Sequence, residues 1–454
     1  MIKRKNFRAA PHRELAGIYI VSLGCPKNLV DSEVMAGALV SGGVPVNLEP
    51  ETARYYLINT CAFLPGARNE SALAIGEGVR WKLRRPEERR LIVAGCLVQH
   101  KEFAEYKARF PEVDYWSGVD GVPDILKALE RTGGATGGNA AQPCYLYDEN
   151  TPRLQLTLPH VAYLKIADGC ANRCAYCSIP KLRGSVRSRS VASAVREARN
   201  LLAGGVREII LIAQDITAYG SDRSDGASLV ELLTELDRLE GDFWVRLLYT
   251  HPAHYTSELI QYLGRSQHTI PYLDIPLQHI NDEILRRMGR RCTAAGTKKL
   301  LNELRAAIPN LALRTTFITG LPGEGDAEFA ELLDFVREQK FDRLGVFAYA
   351  PEPDTPAAAM PDRPDAAVAE ARAKEILHVQ ETLSLARNRT LVGQTVTVIA
   401  DETEGRKAVG RTTADAPEID NSVIFGANRK LHAGRFYQVR VTHAEAFDFY
   451  GEVC

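Results

Sequence analysis

The stretch AYLKIADGCANRCAYCSIP, residues 162–180, decides how this chain is read. It opens on a β-forming apolar run, so a strand leads directly into the loop that follows. That loop sets Cys170, Cys174 and Cys177 in a CxxxCxxC spacing. Three thiolates from one tight loop can hold three irons of a 4Fe-4S cluster and leave the fourth iron without a protein ligand. A structural zinc loop would draw on a second cysteine pair elsewhere, and no pair is spaced for that purpose.

Downstream the same rhythm repeats. EIILIAQD (208–215), FWVRLLYT (243–250), YLDIPLQ (272–278), LRTTFITG (313–320) and RLGVFAYA (343–350) read as strands separated by amphipathic helical segments. Six β/α units are too few for a closed eight-unit barrel. They predict an open, partial one with its active site at the C-terminal strand ends. Those ends carry Gln214, Asp215, His251, Gln278, His279 and, in TGLPGE, Glu324. Each can face a reaction chamber or serve as a turn residue or helix cap. Residues 365–389 are Ala-rich, charged and helical, and are expected on the barrel surface. From 390 to 454, TVTVIA, SVIFGA and FYQVRVTHA between turn residues predict a small all-β barrel.

Upstream, GIYIVSL (17–23), YYLINT (55–60), RLIVAG (90–95) and VDYWSG (113–118) alternate with helix-like stretches, the pattern of an open parallel α/β sheet. Cys25, Cys61 and Cys96 each stand just past the C-terminal end of one of the first three strands. In such a sheet those ends converge on one crevice, and soft thiolates suit a second iron-sulfur centre. The fold class expected is therefore α/β, divided into 16–131, a Gly- and Pro-rich linker over 132–155, a barrel over 156–389 and a β-domain over 390–454. The basic amino terminus MIKRKNFRAAPHREL lacks the apolar stretch of an export signal and is read as a disordered tail.

The chain has 454 residues, more than one core usually supports, with 45% hydrophobic and 25% charged residues and no long apolar run. A soluble, cytoplasmic protein without membrane contact is expected. Nine cysteines at scattered spacings read as reduced thiols or metal ligands. Cys144, Cys292 and Cys454 have no partner at a useful spacing and receive no role. The net charge of -1 gives no simple electrostatic argument for a nucleic-acid partner. Residues 390–454 hold seven Lys and Arg against nine Asp and Glu, 7 - 9 = -2, which favours a basic protein partner over RNA.

CxxxCxxC on the first strand of a partial barrel resembles the radical SAM superfamily. SLGCPKNLVDSE around Cys25, NTCAF around Cys61 and AGC around Cys96 resemble the amino-terminal domain of its methylthiotransferases, and the terminal β-domain resembles a TRAM domain. The resemblance spans nearly the whole chain; the basic WKLRRPEERR (81–90) departs from it. It implies S-adenosylmethionine on the open iron of the Cys170/Cys174/Cys177 cluster and an auxiliary 4Fe-4S cluster on Cys25, Cys61 and Cys96. It places Tyr176 at the aromatic position before the third cysteine. Tyr176, Gln214 and Gln278 are taken as S-adenosylmethionine contacts, and an electron donor such as flavodoxin or ferredoxin is implied. LDIPLQHINDEIL and SLGCPKN are similar to the RimO-type branch, whose target is the β-carbon of an aspartate in small-subunit ribosomal protein twelve. A MiaB-like tRNA adenosine methylthiotransferase and a non-enzymatic, metal-dependent RNA-binding protein are the alternatives, and direct RNA contact stays open.

Overall fold

The computed structural model describes residues 15–454, so the expected amino-terminal tail lies almost wholly outside the described residues. The chain divides into two compact units. One runs to Tyr145 and includes Thr151–Leu154; the other comprises Leu146–Asn150 and Gln155–Cys454.

In the first unit, β1 (Ile18–Ser22), β2 (Tyr55–Thr60), β3 (Arg90–Gly95), β4 (Tyr115–Ser117) and β5 (Ala135–Gly137) form one sheet in chain order, every neighbouring pair parallel. The central strands are apolar on both faces, Leu57, Ile58, Leu91, Ile92 and Val93 being fully buried, because crossovers cover a parallel sheet from both sides. The crossover helices Pro26–Ser41 and Pro65–Leu83 both begin with proline, whose missing N–H costs nothing in a first turn.

The linker expected over 132–155 is corrected here. Ala135–Gly137 is the edge strand of the sheet, and Asp120 accepts the N–H groups of Cys144 and Tyr145. Arg153 pairs with the buried Glu33 of the first unit, whereas Tyr147 donates to Glu197 of the second. Glycine and proline there serve tight packing. A side chain on Gly118 would stand 2.1 Å from the Gly138 carbonyl.

The second unit carries six parallel strands in chain order: β6 (Val161–Lys165), β9 (Glu208–Ile212), β10 (Trp244–Leu247), β11 (Thr269–Asp274), β12 (Ala312–Thr319) and β13 (Arg343–Ala348). A two-stranded ribbon, β7 (Ala167–Asp168) with β8 (Arg187–Ser188), brackets the cysteine loop. Alternate residues such as Ile209, Leu211, Val245, Leu247, Leu313 and Phe317 pack on the helices. Ser190, Ser228, Thr256, Asn281 and Thr293 cap the following helices by accepting backbone N–H groups, each worth about 1 kcal/mol. The helix Ala366–Arg389 lies on this barrel, as expected: Thr319 donates to the Ala369 carbonyl and Gln380 to that of Phe341.

The carboxy-terminal strands β14 (Thr395–Glu404), β15 (Lys407–Thr412), β16 (Ser422–Gly426), β17 (Phe436–Ala444) and β18 (Asp448–Val453) close into the expected barrel around Val398, Val423, Phe425, Val439 and Phe449. Two of these strands, KAVGRT and DFYGEV, carry too many charges and glycines to announce themselves by apolar alternation.

This small barrel plugs the face of the six-stranded sheet opposite the helices. Glu208 bonds Arg246 at 2.6 Å and Arg411 of β15 at 2.7 Å; Arg411 also pairs with Asp401, which meets His160. Arg343 pairs with Asp415, while Tyr272 donates to Asp420 and Arg314 lies 3.5 Å from it. The acidic excess counted over 390–454 therefore does not face a partner. With Arg411, Asp401, Asp415 and Asp420 turned inward, six basic residues (406, 407, 429, 430, 435, 440) and six acidic ones (402, 404, 418, 445, 448, 452) remain, 6 - 6 = 0. Composition counts charges without regard to direction, and here the difference lies inside. Among the described residues no helix is long and apolar enough to cross a membrane.

Candidate functional site

Each cysteine of the two trios lies in a segment that follows a strand end, and in three of the six the turn is made close by glycine. Gly24, Gly95 and Gly169 immediately precede Cys25, Cys96 and Cys170, with φ of +85°, +98° and +79°, a region that favours residues without a Cβ. None has room for a side chain either. A Cβ on Gly24 would lie 2.5 Å from the Cys61 Cβ and 2.8 Å from its Sγ, and one on Gly95 2.6 Å from the Thr60 carbonyl. The loops carrying Cys25, Cys61 and Cys96 are thus in contact at one end of the sheet of the first unit. On Gly169 a Cβ would meet the Ser185 carbonyl at 2.0 Å, and Gly289, at φ +67°, backs the loop from the other side against Arg173. The dipeptide Gly-Cys, which occurs at all three of these strand ends, was a sequence signal for them that the spacing argument passed over.

Polar side chains brace the first trio. Asn28 donates to the Leu23 carbonyl, Asn59 donates to the Asn28 carbonyl and to Ser32, and Ser71 accepts from the Cys61 N–H while donating to its carbonyl. Cys25 is the N-cap residue of Pro26–Ser41. None of the nine cysteines forms a disulfide. Among the described residues neither trio has its sulfurs gathered within 4.8 Å. Thiolates around a single zinc at about 2.3 Å would be. The donor set and its wider spacing fit a cubane cluster and not a mononuclear ion.

In the second trio, burial pushes the Cys170 thiol up to about 11 and Cys177 up to about 12. Metal loading must therefore release these protons. The half-buried Tyr176 packs with Met288, Leu321 and Tyr349 and hydrogen-bonds Cys174. Burial also raises its phenol far above the ordinary range, so it stays a neutral donor.

Strand-end residues sort into two groups. Asp215 accepts from Asn172 of the cysteine loop at 2.7 Å, from the Thr217 N–H and hydroxyl, and pairs with His254 at 2.8 Å. His251 accepts the Ala253 N–H on Nδ1, and burial holds it neutral with its pKa near 3. His279 accepts from Asn281 N–H, and Glu324 is bound by Arg372 and the Gly320 N–H. These four fix turns and helix starts. Asp215, His251 and His254 are the one set among the described residues with three such ligand atoms within 4.8 Å, with both Asp215 oxygens and the Nδ1 atoms of the two histidines already in hydrogen bonds.

Gln214 and Gln278 differ. Gln214 donates to Asp168, a carboxylate that burial alone would raise but that Lys165 and Arg183 hold well below its usual range. Its carbonyl Oε1 is buried without a partner. Gln278 is held at φ +71°, its N–H on the Thr316 carbonyl and its own carbonyl accepting from Ile318, and its Oε1 too is buried and unmatched. The hydroxyls of Ser178 and Tyr349 and the Nε of Arg290 share that state. Such atoms cost about 1–3 kcal/mol each when left unmet, and these five lie on strand ends and loops around the cysteine loop, although others occur elsewhere among the described residues. Two cavities open there, of about 490 Å³ beside Asn172, Tyr219 and His254 and about 620 Å³ beside Arg290 and Cys292, with Arg291 lining both. Their size suits a nucleoside-sized ligand.

Family models match along the chain: the Radical SAM superfamily over 164–336, a TRAM domain over 392–454 and Uncharacterized protein family UPF0004 over 17–118. Solved structures share the fold. The radical S-adenosylmethionine methyltransferase TsrM of Kitasatospora setae, with cobalamin and a 4Fe-4S cluster bound, gives a TM-score of 0.56 at 16% identity over 76% of this chain and 77% of that one. The cobalamin-dependent radical enzyme OxsB gives 0.53 at 14% identity over 82% and 56%. Full-length relatives are far more similar in sequence. Proteins named "Ribosomal protein uS12 methylthiotransferase RimO" from Desulforudis audaxviator and Syntrophotalea carbinolica are 44% and 42% identical, the first over 97% of both chains and the second over 96% of both. With two strand-end cysteine trios, a six-stranded partial barrel and a closed β-domain all in place, the chain belongs to the radical SAM methylthiotransferase family, as an enzyme of the RimO group.

Proposed function

We propose that this enzyme transfers a methylthio group to the β-carbon of an aspartate in small-subunit ribosomal protein twelve, using two molecules of S-adenosylmethionine and two 4Fe-4S clusters. The observation that carries the reading is the 44% identity, over 97% of both chains, with a uS12 methylthiotransferase. Residues 16–131 hold the auxiliary cluster on Cys25, Cys61 and Cys96; 156–389 hold the other on Cys170, Cys174 and Cys177; 390–454 complete the barrel. When bound, the clusters supply the electron that cleaves the sulfonium and the sulfur that is transferred.

The chain's own residues do the positioning. Gln214 and Gln278 offer buried carbonyls to the amino or hydroxyl groups of S-adenosylmethionine, with Tyr176 beside the third cysteine. Strand-end turns pinned by Asp215, His251, His279 and Glu324 keep these groups from wandering, which is what bringing reacting atoms close requires. An external one-electron donor of the flavodoxin or ferredoxin type reduces the enzyme, and the site of action is the cytoplasm.

With the inward acids discounted, the β-domain no longer argues against RNA. Arg406 and Lys407 lie on one loop and Arg429 and Lys430 on another, tied together by the Leu431 N–H on the Gly405 carbonyl. A tRNA substrate is therefore kept as the second arm of the test. Reconstituted enzyme is incubated with ribosomal protein twelve, with small subunits and with bulk tRNA, followed by mass spectrometry. A methylthio adduct on the protein's aspartate is expected; an adduct on tRNA alone overturns the substrate assignment. Transfer by a chain with Cys25, Cys61 and Cys96 all replaced by Ala would overturn the auxiliary-cluster assignment.

A further inference from the structure

Arg290 follows Gly289 in MGRR and returns against the cysteine loop. The Ala175 N–H bonds the Met288 carbonyl, and the Arg290 N–H bonds that of Leu285, so its backbone is held from both sides. The side chain is 8% exposed. A guanidinium is always charged, and burying one without a counter-charge is costly. Every other deeply buried arginine of the second unit has its carboxylate: Arg183 has Asp168, Arg189 has Glu197, Arg246 has Glu208, Arg343 has Asp415, Arg372 has Glu324 and Arg411 has Asp401.

Among the described residues Arg290 has none. Its Nη2 donates to the Pro276 carbonyl, its Nη1 lies 3.8 Å from the Cys174 Sγ, and its Nε is buried without a partner. The charged or titratable groups facing it are Cys174, Cys177, Cys292, Tyr176 and His251. None of these is a carboxylate, so among the described residues no salt-bridge partner faces the guanidinium. A set of three cysteine thiolates carrying a cluster, with Cys174 in direct reach, supplies a negative charge.

We propose that Arg290 is the counter-ion of the Cys170/Cys174/Cys177 cluster, a positioning residue that favours its reduced form. The inference rests on the cluster assignment above. Reduction takes one electron from the external donor and adds one negative charge to the cluster, while no bond forms or breaks at the arginine. A fixed positive charge in a site of low dielectric stabilises the more negative state, and hydrogen bonding to a ligand sulfur acts in the same direction. In the metal-free chain the same arginine is unpaired and destabilising, so its effect on stability reverses with loading.

The test uses the full-length chain with Arg290→Met and Arg290→Lys, reconstituted with iron and sulfide. The cluster is titrated by EPR, its signal picked out by the change on adding S-adenosylmethionine. Arg290→Met is expected to lower the reduced-to-oxidised ratio at a fixed potential about tenfold, equivalent to about 59 mV for a one-electron couple. Arg290→Lys, which keeps the charge, should recover most of that. In the metal-free state Arg290→Met should melt no lower than the unsubstituted chain. An unchanged midpoint in a loaded Arg290→Met protein, or a metal-free Arg290→Met protein that melts well below the parent, overturns the counter-ion role. Failure of the underlying cluster assignment looks different: the unsubstituted chain would then show no S-adenosylmethionine-sensitive signal at all.

Discussion

The face of the six-stranded sheet on which the β-barrel packs and the C-terminal ends of its strands are both lined with buried polar side chains, and they have opposite characters. Where the β-barrel packs, charges are paired even though Glu208 Oε2 and Arg314 Nε make no hydrogen bond: Glu208 serves Arg246 and Arg411, Asp415 serves Arg343, and Arg314 sits between Asp274 and Asp420. At the C-terminal ends of the strands, Gln214, Gln278, Ser178 and Arg290 keep atoms without partners. Both regions would look equally functional if judged by polarity alone. Charge pairing separates them: on the barrel side carboxylate meets guanidinium, whereas at the strand ends Arg290 has no carboxylate among the described residues.

The largest test of this contrast acts on the open end through its backbone. Gly169→Ala forces a Cβ onto the Ser185 carbonyl at a φ that disfavours it, so the cysteine loop must move. Iron loading of that site and S-adenosylmethionine cleavage should be lost, as they should be in Cys174→Ala, while the β-barrel remains folded. Iron assay with EPR, beside circular dichroism, checks both halves of that statement.

At the paired end Glu208→Ala leaves Arg246 and Arg411 buried without their shared carboxylate, at a cost of about 3–5 kcal/mol. Urea unfolding should show it, with the midpoint potential of the cluster unmoved. A pH effect follows too. Burial alone would raise the Glu208 pKa, but Arg411 and Arg246 prevail and lower it. A folded-state pKa below the unfolded one gives stability that is present above about 4.3, the ordinary glutamate value, and is lost as pH falls through the folded value. Glu208→Gln should remove this component of acid unfolding, and an unchanged acid limb would mean that the pair is not what holds the domains together.

Gln278→Ala should do the reverse of Glu208→Ala. The backbone cost at φ +71° is the same for either residue, and an unmatched carbonyl disappears, so stability should stay within about 0.5 kcal/mol. S-adenosylmethionine binding, measured calorimetrically on loaded enzyme, should weaken about threefold to tenfold, the worth of one neutral hydrogen bond. Equal affinity would remove Gln278 from the binding site. Smallest of all, Arg429→Ala on the exposed β-domain loop should change stability by less than about 0.5 kcal/mol. A marked loss of turnover there on small subunits, without loss on free protein, would show that the loop docks on RNA.

Legibility followed the length scale of the signal. CxxxCxxC is local, and three thiols within eight residues of one loop hardly depend on the rest of the fold. Cys25, Cys61 and Cys96 lie far apart, yet each could be read because a parallel sheet brings its strand ends together by construction. The edge strand Ala135–Gly137 was missed because its ATG carries no apolar run, and its place is set by pairing with Tyr115–Ser117. The acidic count of the β-domain misled because a sum over sequence has no inside or outside.

By itself, then, the sequence determined the three-part architecture, the two cysteine trios and the family, since hydrophobic period and cysteine spacing are properties of the chain taken in order. Only the tertiary structure decided which strand-end polar residues are claimed by other side chains and which keep a buried atom unmatched. Glu324 and Gln278 read alike as strand-end polar groups, but the carboxylate of one is claimed by Arg372 from a helix 48 residues away and the Oε1 of the other is left unmatched. That distinction depends on which distant atom arrives within hydrogen-bonding reach, and only packing in three dimensions settles it.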